Sequence, residues 1–258
     1  MGPIRNIYSW PLAAILLSAW YSAAVAAEIV REERAVSGFA AVVVSGTGVI
    51  ELTQGRGESL VIEADSDVLD AITTRVEDGV LHIGRKSWSW FNFGPTKPVV
   101  YHLHFKTLDS LSLSGSVKAV ADTVSSHRLR IKVSGSGSLV FEELHATELT
   151  ATVSGSGSVH VKSLEADEFD GRISGSGSIT IGGQVSRQHI RISGSGDYLA
   201  ANLEGDAVDA WITGSGRAHV WANEELDVRI SGSGGLRYRG EPSLSERLSG
   251  SGRIRRSD

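Results

Sequence analysis

A four-residue phrase, Ser-Gly-Ser-Gly, recurs at so even a spacing that it constrains the fold more than any other feature. Tetrads of the form S/T-G-S/T-G begin at Ser45, Ser134, Ser154, Ser174, Ser193, Thr213, Ser231 and Ser249, with a partial copy at Ser114. From Ser114 onward the steps are 20, 20, 20, 19, 20, 18 and 18 residues. Self-similarity at a short fixed period marks a solenoid, in which each rung buries its apolar face only by stacking on its neighbours.

The positions around each tetrad say what the rungs are made of. The residue before it is Val44, Leu113, Val133, Val153, Ile173, Ile192, Ile212, Ile230 or Leu248. Five residues after each tetrad begins come Ile50, Leu139, Val159, Ile179, Tyr198, Ala218, Leu236 and Ile254. Polar residues such as Arg130, Lys132, Thr152, Arg172 and Arg229 alternate with these columns. Period-two alternation marks strands with one face in a core, whereas a helix needs apolar residues three and four apart. Counting inward by twos from Val133 to Leu139 puts Gly135 and Gly137 inside and the serines outside, as hydroxyl ladders about 4.8 Å apart. Glycine suits a pinched coil or a corner needing positive φ.

Other readings of the glycines fail. A phosphate-binding G-x-G-x-x-G opens a helix once per site, but these copies recur and run into strands. Calcium-binding nonapeptides need a regular aspartate, and only Asp197 follows a tetrad. There is no G-x-S-x-G nucleophile elbow. The apolar columns flanking every copy exclude a flexible linker.

The N-terminus is of another kind. Arg5 precedes the apolar run WPLAAILLSAWYSAAVAA (10–27), which ends in small residues before the charged EIVREER. This pattern predicts a secretory signal peptide over 1–27, cut after Ala26 or Ala27. Cysteine is absent, so an exported chain would be stabilised without disulfides. No second apolar segment follows, which predicts no transmembrane segment in the mature chain. The net charge of -5, without a basic stripe before the last few residues, argues against nucleic acid as partner.

Residues 28–35 form a short lead-in, and 36–254 read as one solenoid domain followed by a tail, 255–258. Within it 36–110 are irregular, with a single tetrad, and 111–254 carry the regular rungs. The stretches VVVSGTGVIEL, SLVIEA, ITTRVEDGVLHIG and VVYHLHF still alternate, with a turn at Glu77-Asp78-Gly79. A solenoid needs such an end to hide its first edge. The segments GFAAVVVSGTGVIELTQGRGESLVIEADSDVLDAITTRVEDGVLHIG, TLDSLSLSGS and ELDVRISGSGGLRYRGEPSLSERLSGSGRI resemble, in that order, the putative auto-transporter adhesin head GIN domain family. The resemblance spans roughly 36–254. It implies an exported bacterial all-β protein: a single-stranded, right-handed, mostly parallel β-helix or solenoid with rungs of about 18–20 residues and an irregular N-terminal cap. It brings no catalytic residues.

Three constellations are candidate sites. Trp88, Trp90, Phe91 and Phe93 crowd a loop ending in Gly94-Pro95, as a recognition surface or as a hydrophobic plug. His102 and His104 share one strand face about 7 Å apart, a metal-like spacing with no acidic partner nearby in sequence, so a solvated face is expected and no metal site. Glu142, Glu143, Asp167, Glu168 and Asp170 fall between tetrads without recurring in one column, as solvated corners would. The sequence therefore predicts no enzyme and no cofactor, but an adhesin-like binding or structural module of the envelope or surface. It would sit in the periplasm, on the cell surface or outside the cell. A glycan or an envelope or surface protein is the expected partner, and homo-oligomerisation stays open. The alternative is a polysaccharide lyase or hydrolase on the same scaffold, for which two or three carboxylates in a groove within about 10 Å would be the sign.

Overall fold

The computed structural model describes residues 29–86 and 99–257. The expected signal peptide and the aromatic cluster Trp88, Trp90, Phe91 and Phe93 lie outside these residues.

The regular part is a coil of long, bent strands. β7 (Ser110–Gly135), β8 (Ser138–Gly155), β9 (Ser158–Gly175), β10 (Ser178–Gly194), β11 (Asp197–Gly214) and β12 (Arg217–Gly232) follow one another with only the tetrad's second half between them. Each pairs in parallel with the next, and the equivalences are those of the repeat. Val133, Val153, Ile173, Ile192, Ile212, Ile230 and Leu248 stand in one register column. Beside it run Ser134, Ser154, Ser174, Ser193, Thr213, Ser231 and Ser249, the expected hydroxyl ladder. Beyond β12 the coil continues as β13 (Gly235–Arg239), β14 (Ser243–Gly250) and β15 (Arg253–Arg256), with Pro242 between β13 and β14 and the second half of the last tetrad between β14 and β15. β12 pairs with both β13 and β14.

The tetrad is a corner, and its two glycines serve different ends. Gly155 has φ of 107°, a conformation that side chains avoid. Gly157 has ordinary φ, but a Cβ there would lie 2.6 Å from Val133 Cγ1 and 2.7 Å from the Gly137 carbonyl oxygen. Ser156 and Ser158 N–H groups donate to the carbonyls of Gly135 and Gly137 on the rung below, at 2.9 and 3.0 Å, so the corner stays hydrogen-bonded. Counting inward by twos is therefore wrong at one position. Gly137 is buried, but the positive φ at Gly135 breaks the alternation and leaves that glycine exposed.

The first third is a mixed-direction cap. β2 (Ala41–Gln54) lies parallel on β7, extending the coil by one turn. β3 (Ser59–Asp65) and β6 (Val100–Phe105) pair antiparallel, β6 lies parallel to β2, and β1 (Ile29–Arg34) closes the edge antiparallel to β3. β4 (Ile72–Glu77) and β5 (Val80–Arg85) form a hairpin through Asp78 and Gly79, both at positive φ as a two-residue turn demands. The only helix among the described residues is the single turn α1 (Ser66–Leu69), capped by Asp65. The edge strand reads IVREER and carries the pairs Arg31–Glu63 and Arg34–Glu32, charges that discourage another chain from adding on.

One apolar core runs from Val36 to Leu236 without interruption. Two polar residues are buried with it: Asp65, which caps α1, and Gln188, whose Oε1 accepts from Tyr198 Oη at 3.0 Å and whose Nε2 donates to the Leu203 carbonyl at 3.2 Å. Tyr198 stacks on Phe169 with ring centres 6.0 Å apart. Burial pushes its phenol well above the ordinary range.

A polar groove across the rungs

The segment midway between tetrads makes the other corner of each rung. Three columns of residues show how it is built. Ser126, Ala146, Ala166, Val185, Gly205 and Ala222 are equivalent on successive rungs, and all are small. Along one side runs the polar column Ser125, His145, Glu165, Gln184, Glu204. On the other side lie His127, Thr147, Asp167, Ser186 and Asp206, where strand pairing steps over a residue at the bend. A floor of small side chains between two taller polar walls is a groove, here of about 910 Å³, crossing the rungs from β7 to β12.

Hydrogen bonds fix the walls. At one end Gln54 reaches from β2, accepting from the Ser125 N–H at 2.7 Å and donating to its carbonyl at 2.9 Å. His127 Nδ1 lies 3.0 Å from Thr147 Oγ1, and His145 Nδ1 lies 3.0 Å from Glu165 Oε2. At the far end Asn223 donates to Glu204 Oε1 at 3.0 Å and accepts from Trp221 Nε1 at 3.0 Å. The Arg239 guanidinium sits over the Trp221 ring, 4.5 Å from its centre.

Four carboxylates, Glu165, Asp167, Glu204 and Asp206, line the groove. Glu165 and Glu204 are two rungs apart, about 10 Å, and Asp167 is two residues along the strand from Glu165, about 7 Å. Spacing alone would suit a glycosidase pair, but such chemistry also needs a carboxyl whose proton is held by burial. The Glu165 side chain is 77% exposed and engaged by His145. The groove as built offers hydroxyl, amide, imidazole and carboxylate partners to something laid along it.

The structure separates the acids picked out in the sequence. Glu142 pairs with Lys162 at 2.6 Å, Glu143 lies by Thr123, Glu168 is 3.6 Å from His189, and Asp170 is tied to Arg172. Of these only Asp167 faces the groove. The reading that the acids never share a column needs correcting: Glu148 and Glu168 are direct register partners, as are Asp209 and Asp227, and Glu165 and Glu204 share a column with Gln184 between them. His102 does have acidic partners. Its Nδ1 lies 2.9 Å from Glu51 on β2, and its Nε2 lies 3.3 Å from Glu63 on β3 without a directed hydrogen bond. No group of three or more His, Asp or Glu residues among the described residues is placed to hold a metal ion. Sequence reasoning also missed Trp211, 52% exposed in an outward column between Arg191 and Arg229. Its column is readable once the 20-residue equivalences are drawn.

Fold and groove together define a parallel β-solenoid whose interior is packed and whose grooves lie outside. The chain belongs to the putative auto-transporter adhesin, head GIN domain family, whose model matches residues 38–242. Among solved structures it is similar to a putative lipid binding protein from Parabacteroides distasonis, 26% identical with a TM-score of 0.83, covering 89% of this chain and 97% of that one. It is also similar to a putative adhesin from Parabacteroides merdae, 21% identical with a TM-score of 0.83, covering 90% and 97%. A putative adhesin from Bacteroides fragilis, 20% identical with a TM-score of 0.68 and covering 90% and 98%, shares the fold. No curated protein matches. No helix among the described residues is long and apolar enough to cross a membrane.

Proposed function

We propose that the chain is a non-enzymatic, exported binding module of the cell envelope or surface that holds an extended, hydroxyl-rich chain, a glycan, in the groove between β7 and β12. The groove's form carries this reading. Its polar walls repeat at about 4.8 Å per rung along a floor of small residues, which suits a linear ligand contacted piece by piece more than a compact substrate. Family membership and the adhesin names of its structural relatives support a surface role. The exposed carboxylate of Glu165, engaged by His145, supports binding over turnover.

Glycan-array screening with the purified chain, followed by titration of the best ligand, tests the reading. Ser186→Trp, at an exposed position on the groove wall, should weaken binding at least tenfold and leave the melting temperature nearly unchanged. Full-strength binding in that variant would overturn the assignment, and release of cleaved sugar would overturn the non-enzymatic reading. Trp88, Trp90, Phe91 and Phe93 are proposed as a further contact, on their sequence alone. Replacing Trp88 and Trp90 by alanine should then reduce binding without lowering stability. Export predicts that N-terminal sequencing of the mature protein begins at Ala27 or Glu28.

A further inference from the structure

The last rungs gather a charge opposite to that of the groove. Arg217, Gly235 and Arg253 are equivalent on β12, β13 and β15, and His219, Arg237 and Arg255 stand in the next outward column. Together they line a pocket of about 490 Å³, whose rim includes the hydroxyl-bearing Ser215, Ser233 and Ser251. Arg217 is held by Asp197 through two hydrogen bonds of 2.9 and 2.8 Å. Among the described residues the guanidinium groups of Arg237, Arg253 and Arg255 have no hydrogen-bonding or ion-pair partner, and only their backbones are bonded into the strands. Arg237 and Arg255 are also directly in register, an arrangement of like charges that costs stability unless an anion lies between them.

Gly235 makes the pocket. Unlike the first glycine of each tetrad it has no positive φ, and unlike the second it is not crowded, since an added Cβ would meet only the Arg253 carbonyl at an ordinary 3.6 Å. Nothing in the backbone requires glycine here. What its missing side chain leaves is a gap between Arg217 and Arg253, whose Cα atoms are two rungs, about 10 Å, apart. Guanidinium groups converging on a gap of this kind match the oxygens of a tetrahedral anion through paired N–H donors.

We propose that this pocket is a binding site for a phosphate-bearing ligand, with Arg237, Arg253 and Arg255 supplying the charge and Gly235 the space. The field of the site is already felt by His219, whose imidazole is held below its usual range by partial burial and by Arg237 and Arg217, against the opposing pull of Asp197. Binding a phosphate must raise that value, because the anion favours the charged imidazole and linkage is reciprocal. The pocket shares no residue with the polar groove, so either assignment can fail without the other.

Titration of the full chain with inorganic phosphate, with glycerol 3-phosphate, and with vesicles of phosphatidic acid against phosphatidylcholine tests the proposal. Saturable binding of either soluble phosphate is expected if the ligand is free. Binding of phosphatidic acid vesicles but not phosphatidylcholine vesicles is expected if the phosphate is a lipid headgroup. In either case Gly235→Gln, which fills the gap, and Arg237→Gln with Arg253→Gln should each weaken binding at least tenfold. Arg191→Gln, outside the pocket, should not. The His219 resonances should titrate at higher pH when phosphate is bound. Failure of all the phosphate probes to bind, binding equal in the Gly235→Gln chain, or an unmoved His219 titration would overturn the site.

Discussion

The smallest unit with a structural consequence is one glycine, and the tetrad gives two glycines two different reasons. At Gly155 the backbone angle excludes a side chain, with the Gly135 carbonyl only 2.8 Å from an added Cβ besides, and at Gly157 the neighbouring rung alone does. Gly157→Ala should therefore cost about 1–3 kcal/mol, because a methyl group cannot enter beside Val133 without displacing it. Ser156→Thr, exposed on the same corner, should be nearly neutral; thermal melts of the two variants check the contrast, and equal shifts would refute it. A second residue-scale test is Tyr198. Its folded pKa lies above the unfolded value of about 10, so its contribution is fully present below that pH and lost as pH rises through the folded value. Denaturant melts above pH 10 should show the native chain losing stability more steeply than Tyr198→Phe. At neutral pH the same variant should be weaker by about 1–3 kcal/mol, since Gln188 Oε1 loses its donor inside the core.

Among the elements, β14 has the least protection. It is exposed along its whole length, and Leu248, the last member of the column that precedes the tetrads, is 46% exposed. Its inward column runs Ile190, Ala210, Val228 and then Glu246, a charge where the coil has so far placed hydrocarbon. An inward charge on an edge strand discourages edge-to-edge pairing. Glu246→Val should extend the apolar column and promote self-association, seen as a concentration-dependent increase in mass by light scattering; a strictly monomeric variant would contradict this. The alternation and equivalences of β7 to β12 were legible because a repeat prints the same register many times. The cap was less so. Its antiparallel pairings join β1 to β3 and β3 to β6 across dozens of residues, and nothing local in those strands names a partner. The groove stayed hidden for a related reason. Glu165 and Glu204 meet only when the 19- and 20-residue rungs are aligned through Gln184, and the floor is recorded as small residues, which carry no chemical signal.

At the scale of the molecule, contacts join each rung mainly to the next. Stability in such a stack is approximately a sum of rung and interface contributions, so it need not be uniform. Hydrogen exchange should be slowest in the amides of β8 to β11, each paired on both sides within the continuous core, and fastest in β14 and β15. Uniform protection along the coil would show that the rungs open together. The tetrad corner carries a further consequence. Each corner touches its neighbour mainly through glycine carbonyls and amides, nearly the same atoms at every step, so one rung is close to interchangeable with another. A gene that loses or duplicates the 20 codons from Ser134 to Val153 would encode a chain whose corners still mate, one unit shorter or longer. The groove would change length by the same unit, making the extent of this polar track a quantity that descendants can adjust in whole steps of about 4.8 Å.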